Sequence, residues 1–562
     1  MLRIFKIAQI LDIAIPLDVK EEQIFSLIKQ VCNNLPLRPI ARVAGGWIRD
    51  KLLGKSSKDI DITVDGMTGI EFATAIKQFA DQNIGRNIVS TIKDTEARPE
   101  QIKNLAVAFL KIYEQEVEIL NLRGNEVYEQ GNRNPISVQH GASAVDDSKR
   151  RDLTMNALFY NINTGKVEDY VGGYQDLQNM LLRTPLDPIM TFKDDPLRVL
   201  RILRFHSRYK NSTIDPDVIE AMRDPDVQFQ ITRRLKNASE TQGIVTERTA
   251  EEFRKIMKGE QPEKAIEIMY QTGLLQELLN LPEEFHPLEM DQQSKHHDLN
   301  VITHTIEVLK NMNNVAKNFG VDDNERMVLN IASLFHDLGK LDPRSHVMKS
   351  DSTWGYSGNP DHPERMAHEN SSAKVWQSFS SAIGMTNEEK EIVFDVISGH
   401  MRPHSHIEGV KNTASDKQLR RYVRKNPIWF FQYMHALADS MSKGKEEDDG
   451  RAYRENIDRI RLLQTQNPAT SGMNKITHLL RGDEIINYVS ARLPNIDIRP
   501  PAGSNQSYIK YIQEKILEKQ DEDPAFSRES AFALIEQIIV AGELNVFMKK
   551  TSGNWLVQLK HN

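Results

Sequence analysis

An α+β front joined to an all-α rear is the fold class this sequence predicts, and three observations predict it. Residues 1–185 alternate short β-branched runs with helical patterns. From Asp194 to about Asn280 the pattern is helical with short polar breaks. Histidine is then concentrated, with twelve of the 16 between His286 and His435, which marks a separate domain. The expected organisation is a mixed sheet with helices over 1–185, an all-α neck and body over 186–290, an all-α His-rich domain over 291–445 and a helical tail over 446–562.

The composition bounds what such a chain can be. Its 562 residues carry 72 Lys+Arg, 79 Asp+Glu and 39% apolar residues. That fills real cores and is too ordinary in charge for wholesale disorder. The single Cys32 excludes a disulfide scaffold and a thiolate zinc site, and fits a reducing compartment. No apolar run approaches the length of a membrane span. The first residues soon meet Asp12 and Asp18 and show no small-residue cleavage site, so a cytoplasmic location is expected. The net charge of −7 does not exclude a nucleic acid, because local patches decide that contact.

In the front part, Ile40–Ala44 reads as a strand and Trp47–Leu53 as a helix closed by Gly54. Between them, Gly45 and Gly46 allow close backbone approach, as a phosphate group requires. Downstream, KDIDITV reads as a strand that puts Asp59 and Asp61 on one face and Ile60 and Ile62 on the other. Two neighbouring carboxylates repel unless a cation lies between them. Magnesium ions do this in phosphoryl transfer, where they clamp the attacking and leaving oxygens.

GGWIRD followed by SKDID resembles the signature of the class II tRNA nucleotidyltransferase and bacterial poly(A) polymerase family, within the polymerase-beta-like superfamily. That resemblance implies a nucleotidyltransferase head that joins a nucleotide from CTP or ATP to an RNA 3′-OH. It implies magnesium at Asp59 and Asp61, and nucleotide contacts from Gly46 and Arg49. A second block, KRRDLTMNALFYN (149–161), reads as a helix with Asp152 and Asn156 one turn apart and Arg151 beside them. It resembles the family's RRDxTxNA block, which binds the incoming nucleotide. The segments 167–185 and 245–257 resemble the family's flexible segment and neck helix. The stretch from EVEILNLRGNE to KRRD is more similar to eukaryotic CCA-adding enzymes than to bacterial poly(A) polymerases.

The third block, DDPLRVLRILRFHSRYK (194–210), reads as a helix with Pro196 at its start. Leu197, Leu200 and Leu203 give an apolar stripe, and Arg198, Arg201, Arg204 and Arg208 a basic one. Asp195 and Arg198, three apart, share a face. Cytosine and adenine each present an amino donor beside a ring-nitrogen acceptor, and a carboxylate beside a guanidinium complements both. Uracil and guanine present the opposite order, and each unpaired buried group costs about 1–3 kcal/mol. By resemblance, Asp194, Asp195 and Arg198 are the family's base reader, with Arg201 and Arg204 along the same nucleotide site.

In the His-rich part, THTIEVL, LFHDLGK, HPERMAHE, ISGHMRPH and LADS occur in that order. Adjacent imidazole and carboxylate, with a distant His before and a distant Asp after, form a metal-ligand set. The spacing resembles the HD phosphohydrolase domain. His304, His336, Asp337 and Asp439 fall on its metal positions, and His368 and His400 near its phosphate or second-metal positions. A divalent transition metal or magnesium is implied there. His296, His297, His362, His404 and His406 are expected at the surface or behind the ligands.

The reading is a CCA-adding nucleotidyltransferase with tRNA, CTP and ATP as partners and no membrane. The HD domain would remove 3′-phosphate or 2′,3′-cyclic phosphate ends, and the tail would help hold the tRNA body. A poly(A) polymerase of the same fold, an HD hydrolase whose front only binds RNA, and an A-adding-only or C-adding-only member of a split pair are the rivals.

Overall fold

The computed structural model describes residues 9–544 except 58, 91, 95–106, 123–125, 128–136, 139–141, 237–242, 294–298, 360, 363, 409–410, 443–449, 467–478, 494–507 and 524. The chain divides into two compact units. One is residues 1–282 with 379–384, and the other is 283–378 with 385–562.

The first unit is built on strands β1 (Gln9–Leu11), β2 (Ala41–Ala44), β3 (Ile60–Val64), β4 (Lys93–Asp94), β5 (Val107–Ile112) and β6 (Gln115–Asn121). A short hairpin of β7 (Glu126–Val127) and β8 (Ser137–Val138) follows, then β9 (Phe159–Asn161) and β10 (Lys166–Asp169). The eight-stranded sheet runs β1-β10-β9-β2-β3-β6-β5-β4. Its β3–β6 pair is parallel and its other pairs are antiparallel. Helix α1 (Val19–Asn34) turns Ile24, Leu27, Ile28 and Val31 into the core. Asp18 and Glu21 form a capping box at its start. Helix α2 (Gly46–Leu52) follows β2, with Gly45 at φ +74° as its cap and Gly54 at φ +70° just beyond its end. Helix α3 (Gly69–Asn83) follows β3 and opens on a second capping box, Thr68 with Glu71.

Where one helix was expected over 149–161, the chain folds differently. Helix α4 (Ala144–Lys149) ends early, a 3-10 turn covers Thr154–Asn156, and β9 begins at Phe159. The reason is tertiary. Leu153, Met155, Ala157, Leu158 and Phe159 are all fully buried, too many directions for one helical face. The Thr154 N–H is drawn off to the carbonyl of Arg183.

Helices then dominate, as the sequence predicts: α5 (Gly173–Gln178), α6 (Pro188–Asp194), α7 (Leu197–Arg208), α8 (Pro216–Met222), α9 (Pro225–Lys236), α10 (Gly243–Met257), α11 (Pro262–Gln271) and α12 (Leu274–Leu279). Strands β11 (Leu181–Leu182) and β12 (Thr213–Ile214) add one short parallel pair. Helix α7 is the axis, packed by α6, α10 and α11. It buries Val199, Ile202 and Phe205 as well as the expected leucines, so only its arginine face is open.

His206 on α7 is buried, with Nδ1 3.0 Å from the Ser212 hydroxyl. Burial, helped by the charge of Lys264, lowers its pKa to about 4. Such a histidine stays neutral when folded while the unfolded chain takes up a proton, so stability falls as pH drops from 6.5 towards 4. Urea unfolding should show wild type losing roughly 2 kcal/mol more than His206→Gln on going from about pH 7 to pH 5. Equal losses would contradict this.

The second unit is helical: α13 (Val301–Asn318), α14 (Asp323–Phe335), α15 (His368–Ser380), α16 (Asn387–Gly399), α17 (Met401–His404), α18 (Asp416–Lys425), α19 (Trp429–Ser440), α20 (Arg451–Gln466), α21 (Gly482–Arg492), α22 (Tyr508–Glu522) and α23 (Arg528–Val540). Met312, Leu329, Trp429, Tyr433 and Tyr453 belong to one core. Helices α21–α23 close a separate small core around Ile485, Ile512 and Ile535. The buried pair Arg424–Asp521, at 2.7 Å, ties α18 to α22. Of the sequence expectations here, the loop at RPPAGSNQ and most of KGKEEDDG lie outside the described residues. Among the described residues no helix is long and apolar enough to cross a membrane.

Candidate functional site

The first unit holds a cleft of about 820 Å³ lined by Gly45, Gly46, Arg49, Asp61, Arg151, Asp152, Asn156, Asp195, Arg198, Arg201 and Arg204 among others. Ten of the lining side chains are Arg or Lys and four are Asp, so the cleft suits a polyanion.

Asp61 stands on β3, where alternation buries Ile60 and Ile62 on the opposite face. Parallel pairing with β6 places Glu118 directly beside it. Burial raises the pKa of Asp61 against the pull of Arg151, and Asp59 adds to the rise. Burial also raises that of Glu118, with Asp61 and then Asp59 contributing. Asp59 sits one residue ahead of β3, is exposed, and is not among the residues lining the cleft, though its charge reaches both acids. Two carboxylates whose charge is disfavoured, with Asp59 nearby, fit a hard divalent cation, which would relieve both. Glu118 was not singled out in the sequence. Only strand register brings it there.

Gly45 is tight for a reason. A Cβ there would lie 3.3 Å from Arg151 Nη1 and 3.9 Å from Asp61 Oδ2, at a φ that disfavours side chains. Arg151 is held by Asp147, through Nη2 at 2.8 Å, and donates through Nη1 to the Asn156 carbonyl. Asn156 accepts from Arg49 Nη1 at 2.7 Å and donates to Asp152 at 2.9 Å. Thus Asp152 and Asn156 do meet, through the 3-10 turn and not along a helix. Asp152 is fully engaged. One oxygen takes Asn156 and the Leu153 N–H, and the other takes Arg201 at 2.7 Å. Despite burial, these partners, Arg201 first, hold its pKa well below the usual carboxylate range. Glu252 on α10, also missed in the sequence, accepts from Arg204 at 3.1 Å and lies 3.8 Å from Arg201. Arg248, Lys255 and Lys258, on or just after the same helix, complete the basic wall.

Asp195 and Arg198 both line the cleft, on either side of Pro196. Asp195 accepts the Leu197 N–H, and Arg198 donates to the carbonyls of Thr191 and Arg150 at 3.2 and 2.7 Å. The guanidinium is therefore clamped in place, with N–H groups left over for a ligand. Asp194 ends α6, is exposed, and is not among the lining residues.

The turn carrying Asn156 rests on α5. A Cβ on Gly173 would fall 2.1 Å from the Thr154 carbonyl oxygen. Gly173→Ala should shift that turn, cost about 1–3 kcal/mol of stability, and lower kcat/KM for the nucleotidyl transfer expected from the sequence by about 100-fold. Steady-state kinetics alongside thermal melting would check it.

The second unit gathers its histidines around Asp337. His304, His336, His368 and His400 come from α13, the end of α14, α15 and the end of α16, and all are buried. One Asp337 oxygen lies 3.4 Å from His304 Nε2 and 3.2 Å from His336 Nε2, and the other 3.6 and 3.7 Å from His368 and His400. His304 Nε2 is also 3.0 Å from Asp439. Two ligand groups result, His304–His336–Asp337 and Asp337–His368–His400, which share the carboxylate. In all four imidazoles Nδ1 is spent on a backbone carbonyl, of Ser442, Ser333, Tyr356 and Ile397 respectively. This leaves every Nε2 aimed inward, the orientation that ligand histidines adopt. The donor set fits one or two divalent ions. Burial lowers the pKa of His304, but Asp337 and Asp439 outweigh it and raise it to about 9, which shows how much negative charge faces that ring.

Lys340 was not singled out in the sequence. Lys340 Nζ reaches Asp337 at 2.7 Å. His404 Nε2 lies 2.9 Å from Asp439, and its Nδ1 is 2.6 Å from the Tyr453 hydroxyl. His404 thus stands behind a ligand, as expected. His406 bonds the Tyr433 hydroxyl, His362 accepts the Glu364 N–H, and His296 and His297 lie outside the described residues.

Residues 41–183 match the family described as the poly A polymerase head domain, and residues 301–428 match the HD domain. The front of the chain thus carries a poly A polymerase-type head domain and the rear an HD domain. Residues 233–285 match the segment described as the probable RNA- and SrmB-binding site of polymerase A. The chain is similar to a mitochondrial CCA tRNA nucleotidyltransferase of Saccharomyces cerevisiae, 40% identical over 251 residues, 44% of each chain. It is also similar to a multifunctional CCA protein of Cupriavidus pinatubonensis, 25% identical over 370 residues, 65% of this chain and 75% of that one. The chain spans about half the length of the first five curated relatives, from 44% to 52%. A solved CCA-adding enzyme with ATP shares the fold at TM-score 0.56 and 18% identity, over 98% of this chain and 99% of that one.

Proposed function

We propose that this chain is a member of the tRNA nucleotidyltransferase/poly(A) polymerase family and completes tRNA 3′ ends with CCA from CTP and ATP, releasing pyrophosphate. The observation that carries it is the cleft lined by Asp61, which has Glu118 beside it across the strand pair, together with a set of arginines and the pair Asp195 and Arg198. Magnesium held by Asp59, Asp61 and Glu118 would neutralise charge on the reacting oxygens. Arg49, Arg151, Arg201 and Arg204 hold the triphosphate and ribose, and Asp152 and Asn156 keep Arg201 and Arg49 in place. Asp195 and the clamped Arg198 read the amino-donor and ring-acceptor edge that cytosine and adenine share. The head is taken as 1–185 and the neck and body as 186–290.

We assign the HD domain, 291–445, to phosphate-ester hydrolysis that restores a 3′-OH on damaged ends. A divalent metal at His304, His336, Asp337 and Asp439, with a second at His368 and His400, would supply Lewis acidity there. The tail, 446–562, would support the tRNA body, and the compartment is taken as the cytoplasm. Fractionation that recovers the protein in mitochondria would place it with its Saccharomyces cerevisiae relative.

The test is to incubate the full chain with CTP, ATP and tRNAs trimmed by one, two or three nucleotides, then sequence the 3′ ends. CCA completion supports the reading. Runs of A without C would make the protein a poly(A) polymerase, and no addition would leave the front as an RNA-binding module.

A further inference from the structure

The HD centre holds one imidazole that none of the roles above uses. His435 lies on α19 four residues before Asp439, so the two share a helix face. Its ring is 0% exposed, 4.8 Å from the His336 ring and 6.0 Å from that of His400. Neither ring nitrogen has a hydrogen-bond partner among the described residues.

A histidine kept only for packing is not built this way. Buried polar atoms in native proteins find partners, and leaving them unmade is costly. His406, buried in the same domain, bonds Tyr433. His435 is not built as a ligand either. Each of the four ligand candidates is oriented by a carbonyl on Nδ1, and His435 belongs to neither ligand group. Its neighbours are the imidazoles of His336 and His400, and Asp439 lies four residues on along the same helix. In either charge state an imidazole carries at least one N–H to donate.

We propose that His435 is a substrate-contacting residue of the HD centre, its ring N–H donating to a non-bridging oxygen of a phosphate ester. This rests on reading the centre as one that takes phosphate esters. Phosphate carries the acceptors that such a site needs, and a hydrogen bond to a charged acceptor is worth about 10–100-fold in affinity.

The test uses the full chain loaded with manganese, inorganic phosphate as the binding probe and bis(p-nitrophenyl) phosphate as the substrate. His435→Phe fills the space without nitrogens, His435→Gln keeps an N–H, and His435→Leu serves if the phenylalanine variant fails to fold. Metal content by mass spectrometry should match wild type in all. The apolar variant should bind phosphate about 10–100-fold more weakly and lose kcat/KM on the ester by a similar factor, and glutamine should recover part. Unchanged phosphate affinity in the apolar variant overturns the proposal. Loss of metal also overturns it, because His435 would then be a ligand. If wild type binds phosphate through His435 yet does not cleave the ester, the hydrolase reading fails and the contact stands. If wild type binds no phosphate, both fail.

Discussion

Replacing Asp61 with Asn should lower CTP incorporation into trimmed tRNA by about 1,000-fold or more, equivalent to roughly 4 kcal/mol of transition-state stabilisation. The fold should not suffer. Asp61 is half-buried in an acid group with Asp59 and Glu118, and its pKa is raised, first by burial. A carboxyl with a raised folded pKa is less comfortable charged in the native state than in the unfolded chain. It therefore costs stability above its unfolded pKa, and that cost is relieved as pH falls through the folded value. Asp61→Asn removes the charge, so the metal-free variant should melt at or above the wild-type temperature. Magnesium should raise the wild-type melting temperature and barely move that of the variant. Residual CTP incorporation near the wild-type rate would refute the role. A variant that melts well below wild type would show that Asp61 is instead a packing element of β3.

How much of this could be read from residues alone depends on whether the signal is local. The alternation in KDIDITV, the arginine face of α7 and the order of HD-domain pieces are local; Asp61 lines one cleft with Arg198, Arg201 and Arg204, and His304, His336, Asp337, His368 and His400 gather in one centre, while Asp59 stays outside the cleft lining. Glu118 was not legible, because it reaches Asp61 through the parallel register of β3 on β6, across more than fifty residues of chain. The helix expected at 149–161 fails because burial of consecutive residues there overrides the i, i+4 pattern, although Asp152 and Asn156 still meet. Lys255 and Lys258, with Arg248, were legible as basic positions on or just past one helix, but nothing local says that they face arginines of α7. His435 had a local signal, HALAD at helical spacing before a ligand aspartate, and the fold is needed to show that its nitrogens lack partners.

Replacing Asp337 with Ala should abolish hydrolysis of 2′,3′-cyclic nucleotides and empty the HD centre of metal, while CTP incorporation stays at the wild-type rate. Asp337 is the carboxylate common to both ligand groups, so its loss removes a donor from each. Its pKa is held well below the usual carboxylate range, against burial, by His336 and Lys340. It is therefore charged in the apo protein, and Lys340 Nζ depends on it at 2.7 Å. Alanine would strand that ammonium in the interior beside Gln292, its other partner at 2.8 Å. Breaking such a buried pair costs about 3–5 kcal/mol. The α13–α19 bundle should consequently melt earlier, so metal loss alone could be blamed on unfolding. Combining Asp337→Ala with Lys340→Met separates the two effects. The double variant should regain stability without regaining metal or hydrolysis, since the stranded charge is gone and the shared donor is still missing. Metal content by mass spectrometry and hydrolysis of 2′,3′-cyclic AMP decide it. If the stabilised double variant binds metal and cleaves the ester as wild type does, Asp337 is a structural anchor for Lys340 and the centre must be drawn around other residues.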